Sequence, residues 1–253
     1  MIAEKKEPLL RIQNLTVHYG AAQALFGIDL AVAPGETVAL VGANGAGKST
    51  LLLQFNGCLL PEAGRVRIGD MPVTKKTLKH VRRTVGLIFQ DPDDQLFMPL
   101  VYDDVAFGPL NLGLSPEEVD RQVMQALAAV GAVHLKDRPP YHLSGGEKRA
   151  VAIAAVLSLT PAILVMDEPS SNLDPKTRRQ LIELLKTFEH SLIIATHDLD
   201  LVLDLCPRTI VLQEGRIAAD GPTGEIMADE ALLSACNLEK PLRLQGCPVC
   251  RQD

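Results

Sequence analysis

Nine consecutive residues have the types and spacing to grip a phosphate: Gly42-Ala43-Asn44-Gly45-Ala46-Gly47-Lys48-Ser49-Thr50. They fit G-x-x-x-x-G-K-[ST], the phosphate-binding loop. Glycines let the backbone wrap an anion with φ values that other residues resist. Successive N–H groups, and the positive end of the helix that should follow, then point at the phosphates. Lys48 adds a mobile positive charge for the β- and γ-phosphates, and the Ser49 hydroxyl is placed to ligate Mg²⁺. Residues 36–41 read as a buried strand before the loop, and residues 49–55 as the first turns of a helix after it. An incidental glycine-rich turn would not bring strand, loop, Lys-Ser pair and helix together. The sequence predicts a nucleoside triphosphate site.

The elements that must position this chemistry follow in order. Residues 9–17 alternate apolar and polar and read as a strand, and residues 24–32 as a second one before the Pro34-Gly35 turn. Residues 65–68 and 84–89 supply further strands, the latter ending at Gln90. From about 101 to 130 the pattern is helical, with Ser115-Pro116-Glu117-Glu118 as a helix start. Leu143-Ser144-Gly145-Gly146-Glu147 opens another helix, with Ala150, Ile153, Ala154 and Leu157 on one face. Ile163-Leu164-Val165-Met166 and Leu192-Ile193-Ile194-Ala195 are short apolar runs of buried parallel-strand type. Between them Pro175 starts an amphipathic helix carrying Leu181, Leu184, Leu185 and Phe188. Residues 209–233 read as a hairpin turning at Glu214-Gly215 and then a helical stretch.

Strands alternating with helices argue a parallel, doubly wound core, in which ligands sit at the carboxyl ends of the strands. Lys48, Gln90, Asp167 and His197 each stand at or just past the end of an expected strand. They are therefore expected to converge.

Composition narrows the classes. A chain of 253 residues can bury one large α/β core, or one core with a small subdomain. The formal charge of −6, with no Lys/Arg-rich run and no aromatic stripe, argues against a nucleic-acid groove. No secretory leader is expected in Met1-Ile2-Ala3-Glu4-Lys5-Lys6-Glu7, and no apolar run reaches membrane-spanning length. Cys58, Cys206 and Cys236 are scattered and expected as reduced core residues.

The order of phosphate loop, Gln90, Leu143-Ser144-Gly145-Gly146-Glu147, Asp167-Glu168, Ser171-Asn172-Leu173-Asp174 and His197 resembles the ATP-binding-cassette (ABC) ATPases over nearly the whole chain. More narrowly, residues 89–97, 104–109 and 195–203 resemble the ATPase of energy-coupling-factor importers for cobalt or nickel. A few residues separate that branch from the vitamin-importing one. The resemblance implies a P-loop core with a parallel sheet, an N-terminal antiparallel β portion and a helical signature subdomain. It implies one ABC ATPase domain over residues 1–240, with the helical subdomain at about 91–160, and a tail over 241–253.

The resemblance also assigns roles. Asp167 would hold Mg²⁺ through water, and Glu168 would be the base that polarises the attacking water. Gln90 would touch Mg²⁺ and that water. His197 would donate to the γ-phosphate, although a lone histidine is more often a satisfied core residue. Tyr19 would stack on adenine, although a strand-end tyrosine packs on a sheet equally well. Ser144, Gly145 and Gly146 would close over ATP held by the phosphate loop of a second subunit, packed head to tail across a two-fold interface. Two departures stand out: Lys148 where many relatives carry Gln, and Asn172 where Ala or Gly is commoner.

The implied protein hydrolyses ATP to power membrane transport from the cytoplasmic face, paired with itself or with a paralogue. Integral-membrane subunits would dock near Gln90–Gly108, with Leu96, Phe97 and Met98 as the apolar contact and Asp93 and Asp94 meeting basic residues. A soluble cassette ATPase of DNA repair or translation is the alternative. The first would carry a long coiled-coil insertion and the second two cassettes, and the chain has neither. A nucleotide sensor without turnover is a third, against which Glu168 and His197 speak. The pair Cys247 and Cys250 makes half of a four-ligand zinc site. A reduced tail, metal contact and transient redox chemistry all stay open for it.

Overall fold

Leu10–Tyr19 (β1) alternates buried and exposed residues and pairs antiparallel with Ala22–Val32 (β2). The structure, a computed structural model, describes residues 7–20, 22–188 and 190–245; Cys247 and Cys250 lie outside them. Thr37–Val41 (β3) enters a second sheet, and the phosphate loop leads from it into Lys48–Phe55 (α1). Ala63–Ile68 (β4) and Met71–Pro72 (β5) complete the first sheet in the order β2-β1-β4-β5. Leu78–Thr84 (α2) then runs into Val85–Ile88 (β6).

Val101–Leu112 (α3), Pro116–Ala129 (α4) and Gly145–Leu157 (α5) form a helical layer. The chain returns through Ile163–Asp167 (β7), Pro175–Lys186 (α6), Ser191–Ala195 (β8) and Leu199–Leu205 (α7). Arg208–Gln213 (β9) and Arg216–Pro222 (β10) follow, then the short helices Thr223–Ala228 (α8) and Glu230–Ala235 (α9). The hairpin turns where expected: Glu214 and Gly215 both have positive φ, as a two-residue type I′ loop requires.

The second sheet has the order β10-β9-β3-β8-β7-β6, parallel from β9 to β6. Its inner strands β3, β8 and β7, with β6 at the edge, are almost wholly apolar because both of their faces are covered, whereas β10 alternates and carries Arg216 and Asp220. Val38, Leu40, Ile163, Val165, Ile193 and Ile210 pack toward α1 and the antiparallel sheet. Ala39, Val41, Leu164, Met166, Leu192 and Ile194 pack toward α5, α6 and α7. A third core fills the helical layer under α3 and α4.

Four expectations are corrected. The apolar face expected on α5 is too narrow: α5 is wedged between two cores, so Val151, Ala152 and Ala154 are buried along with Ile153 and Val156. Cys206 and Cys236 are buried, and burial pushes the Cys206 thiol up to about 12, but Cys58 is exposed. Leu96 is core, for the reason given below. The charge reading also needs revision: Lys75, Lys76, Lys79, Arg82 and Arg83, with His80, fall within residues 75–83 and are all exposed.

Candidate nucleotide site

Two glycines of the phosphate loop stand where contacts leave no room for a side chain. A Cβ on Gly42 would meet the Leu212 carbonyl oxygen at 2.3 Å. One on Gly47, at φ 103°, would meet Leu25 Cδ2 at 2.9 Å. Lys48, at the start of α1, donates from Nζ to Gly42 O at 2.7 Å and Ala43 O at 3.2 Å. Ala46 is buried in the core below.

Strand ends bring the remaining groups to this loop. One cleft of about 470 Å³ is lined by Asn44, Gly45, Gly47, Lys48, Ser49 and Thr50 together with Tyr19, Gln90, Asp167, Glu168 and His197. The convergence expected at the carboxyl edge of the sheet is therefore observed. Tyr19 is 51% exposed at the mouth, so it does not pack down on the sheet.

Charge is concentrated here. Burial pushes the Lys48 ammonium below its ordinary range, against the pull of Glu168 and Asp167. Burial raises the Asp167 carboxyl; the Ser49 hydroxyl bonds to it and opposes the rise, the Glu168 charge adds to it, and Lys48 opposes it. Glu168 is buried at φ 46°, a left-handed conformation that costs a side-chain residue ~1–3 kcal/mol. Its Oε2 accepts from Thr196 Oγ1 at 3.0 Å and His197 N–H at 3.2 Å, with His197 Nδ1 2.8 Å away. Its backbone N–H is held by Ala195 O. The His197 side chain itself is 66% exposed, so it is not a satisfied core histidine.

Supporting contacts escape the sequence reading. Arg149 is buried and donates to Phe89 O at 2.8 Å and Gln90 O at 2.6 Å, fixing the backbone of the Gln90 turn from the signature helix. Asp198, one residue past His197, takes Arg178 Nε at 2.6 Å, an Arg178 terminal N–H at 2.8 Å and Ser170 Oγ at 3.1 Å. Burial pushes Asp198 up, but the Arg178 bonds hold it below the usual carboxylate range. These ties lock the loop after Glu168 to the strand end carrying His197. The only sequence signal was an arginine inside an otherwise apolar helix face. Asn172 has φ 62°, which asparagine tolerates better than most side chains; that accounts for its type.

The signature lies elsewhere. Ser144 caps α5 with a reciprocal Glu147 capping box, and Gly146 packs so close to Thr177 that a Cβ would meet it at 2.6 Å. Ser144 and Gly146 line a separate cavity of about 500 Å³ with residues of α4, α5 and α6. Gly145 lines another of about 420 Å³, shared with Gln90. Neither opens on the phosphate loop within this chain.

The expected docking segment is partly corrected. Leu96 is only 7% exposed, because it closes the core of the helical layer. Asp104 Oδ1 accepts the N–H groups of Phe97 and Met98 at 2.9 and 3.0 Å, setting a turn that sends Leu96 inward and Phe97 outward. Phe97 is 63% exposed and meets the exposed Phe107 edge-on, centroids 5.0 Å apart, with Leu110 exposed nearby in sequence. Asp93 is already paired with Lys148 at 2.6 Å, so of the two acids expected to meet basic residues only Asp94 has no ion pair among the described residues.

A glycine loop, a lysine, paired acids and a histidine at the ends of parallel strands define a P-loop nucleoside triphosphatase. The ABC transporter family model matches residues 25–171, more than half the chain, and the chain belongs to that family. A Geobacter sulfurreducens protein named as an ABC transporter ATP-binding protein is 64% identical, over 90% of this chain and 92% of its own length. The energy-coupling factor transporter ATP-binding protein EcfA of Methanocaldococcus jannaschii is 47% identical, over 92% and 86%. Among solved structures, cbiO1 of Clostridium perfringens, part of the ABC transporter complex cbiONQ, aligns with TM-score 0.81 and 39% identity over 94% of this chain and 96% of its own. A dimeric cassette, MJ0796, in a post-hydrolysis state with ADP and Pi, aligns with TM-score 0.75 and 27% identity over 85% and 98%. This chain is accordingly an ATP-binding ABC transporter subunit and an ATPase. Among the described residues no helix is long and apolar enough to cross a membrane.

Removing the loop's cation tests the site directly. Lys48→Ala should weaken ATP binding roughly ten- to a hundredfold, the ~1.5–3 kcal/mol of a charge-assisted hydrogen bond. Unchanged affinity in a calorimetric titration would count against the loop as the phosphate site.

Proposed function

We propose that the chain is the ATP-hydrolysing subunit of an energy-coupling-factor-type importer that takes up a transition-metal ion, cobalt or nickel. The observation that carries the ATPase mechanism is the split site: Lys48, Glu168 and His197 share one cleft, while Ser144 and Gly146 open on another. A complete site then needs a second subunit, this chain again or a paralogue, placed head to tail so that each signature caps the other's nucleotide. The dimeric neighbour supports that arrangement.

Within the cleft, Ser49, Asp167 and Gln90 offer the hard oxygen donors that Mg²⁺ prefers, and all three line the same space beside Lys48. When bound, Mg²⁺ would neutralise phosphate charge. Lys48 binds the β- and γ-phosphates, Gln90 and Glu168 orient the attacking water, Glu168 accepts its proton, and His197 donates to the γ-phosphate. Tyr19, at the mouth, stacks on the adenine.

Transport enters through Gln90, which belongs to the nucleotide cleft and begins the segment that presents Phe97. Movement of one with nucleotide state moves the other, the differential contact that coupling needs. The membrane subunits would hold this chain at the cytoplasmic face. The relatives named as an energy-coupling factor transporter protein and as part of an ABC transporter complex support the transporter class, and the sequence resemblance of residues 89–97 supports the metal-importing branch. Tagged chain extracted from membranes in detergent should bring down multi-spanning subunits, and cells carrying the set should accumulate labelled cobalt or nickel. Vitamin uptake instead would move the chain to the vitamin branch, and recovery without membrane partners would overturn the importer reading.

A further inference from the structure

Helix α2 buries Val81 and half-buries Leu78, which presses into the space beside Gly57. The rest of its surface, with the turn before it, carries Lys75, Lys76, Lys79, His80, Arg82 and Arg83, every one exposed. None of the six is in an ion pair with a described carboxylate. In a chain of formal charge −6 this is a local reversal of sign. Lys79 stands three and four residues from Arg82 and Arg83, spacings at which like charges on a helix repel. No described carboxylate offsets that repulsion, which leaves the face open to an external anion.

The position of the patch narrows the partner. α2 feeds β6, the edge strand of the parallel sheet, and the far end of β6 leads to Gln90 and the exposed Phe97. Four strand residues span ~13 Å, so one short strand joins the patch to the Gln90 turn, where the segment assigned above to the membrane subunits begins. The charged face is only two helical turns long, about 10 Å, and carries no Phe, Tyr or Trp, whereas a nucleic-acid track needs a longer basic groove with stacking groups. None of its residues lines the clefts described above, so it offers no groove for an acidic peptide.

We propose that the basic face of α2 lies against anionic lipid headgroups of the bilayer in which the membrane subunits sit. This rests on the importer reading and adds a contact made by this chain itself. It gives the subunit a weak, salt-sensitive hold on the membrane.

The test is co-sedimentation of the full chain with vesicles of pure phosphatidylcholine, and with vesicles about one-third phosphatidylglycerol. The wild type should pellet with the anionic vesicles only, and release as salt is raised. Lys75→Glu, Lys79→Glu, Arg82→Glu and Arg83→Glu together should cut partition by at least about a hundredfold, since each basic residue near an anionic surface counts roughly fivefold. ATP affinity should not change, which reports that the variant is folded. Equal pelleting of variant and wild type, equal pelleting with neutral vesicles, or tighter binding to duplex DNA than to anionic vesicles at matched phosphate would each overturn the proposal. The assay contains no membrane subunit, so it can fail while the co-purification above succeeds, and the reverse.

Discussion

Glu168→Gln should leave ATP bound and unhydrolysed, and should trap the chain as a nucleotide-bound pair. The amide matches the carboxylate in size and can still accept from Thr196 and the His197 N–H, which now converge on Oε2. The strained φ of 46° and the backbone bond to Ala195 do not depend on charge. What disappears is the capacity to take a proton from water, worth ~10²–10⁴ in rate for a general base. The phosphate-loop contacts remain, so binding free energy that favours the closed pair is no longer discharged by hydrolysis. Size-exclusion chromatography with ATP and Mg²⁺ should show a dimer that ADP does not support. A monomer with turnover near wild type would remove Glu168 from its assigned role.

Phe97→Asp combined with Phe107→Asp should abolish assembly with the membrane subunits while sparing ATP binding by the isolated chain. The two rings are exposed and in edge-to-face contact, and neither belongs to a core cluster. A charge on each replaces the largest apolar feature of this face with two groups that an apolar helix cannot desolvate cheaply. Leu96 would be a misleading choice, because a charge there destroys the packing of the helical layer and confounds folding with docking. Retention of the membrane subunits in a pull-down, together with undiminished uptake, would place the coupling surface elsewhere.

Much of the site was legible because it obeys periodic rules. Lys48, Asp167 and His197 follow runs such as Ile163-Leu164-Val165-Met166, whose two-sided burial makes them apolar throughout and easy to delimit. Contacts between distant segments were not legible. Arg149 reaches carbonyls 59 and 60 residues away, and a single arginine in an apolar helix does not announce its acceptors. The phase of Leu96 and Phe97 was lost because they lie in an irregular turn fixed by Asp104, where neither a period of 2 nor of 3.6 applies. The charge of α2 was obscured by the acidic total, since net charge averages over faces that a partner meets one at a time.

The central claim is that each nucleotide is enclosed by the phosphate loop of one subunit and the signature of another. Mixing two inactive variants tests it. Lys48→Ala disables a chain's own phosphate loop; Ser144→Arg blocks the signature it lends to its partner. Neither pure variant can build an intact site, whereas a pair containing one of each has one. If two copies of this chain form the pair, an equal mixture should recover about a quarter of the wild-type ATPase rate, because about half of random pairs are mixed and each holds one intact site of two. A mixture no more active than its components, or a Ser144→Arg protein that hydrolyses ATP at the wild-type rate alone, would contradict a site shared between two copies.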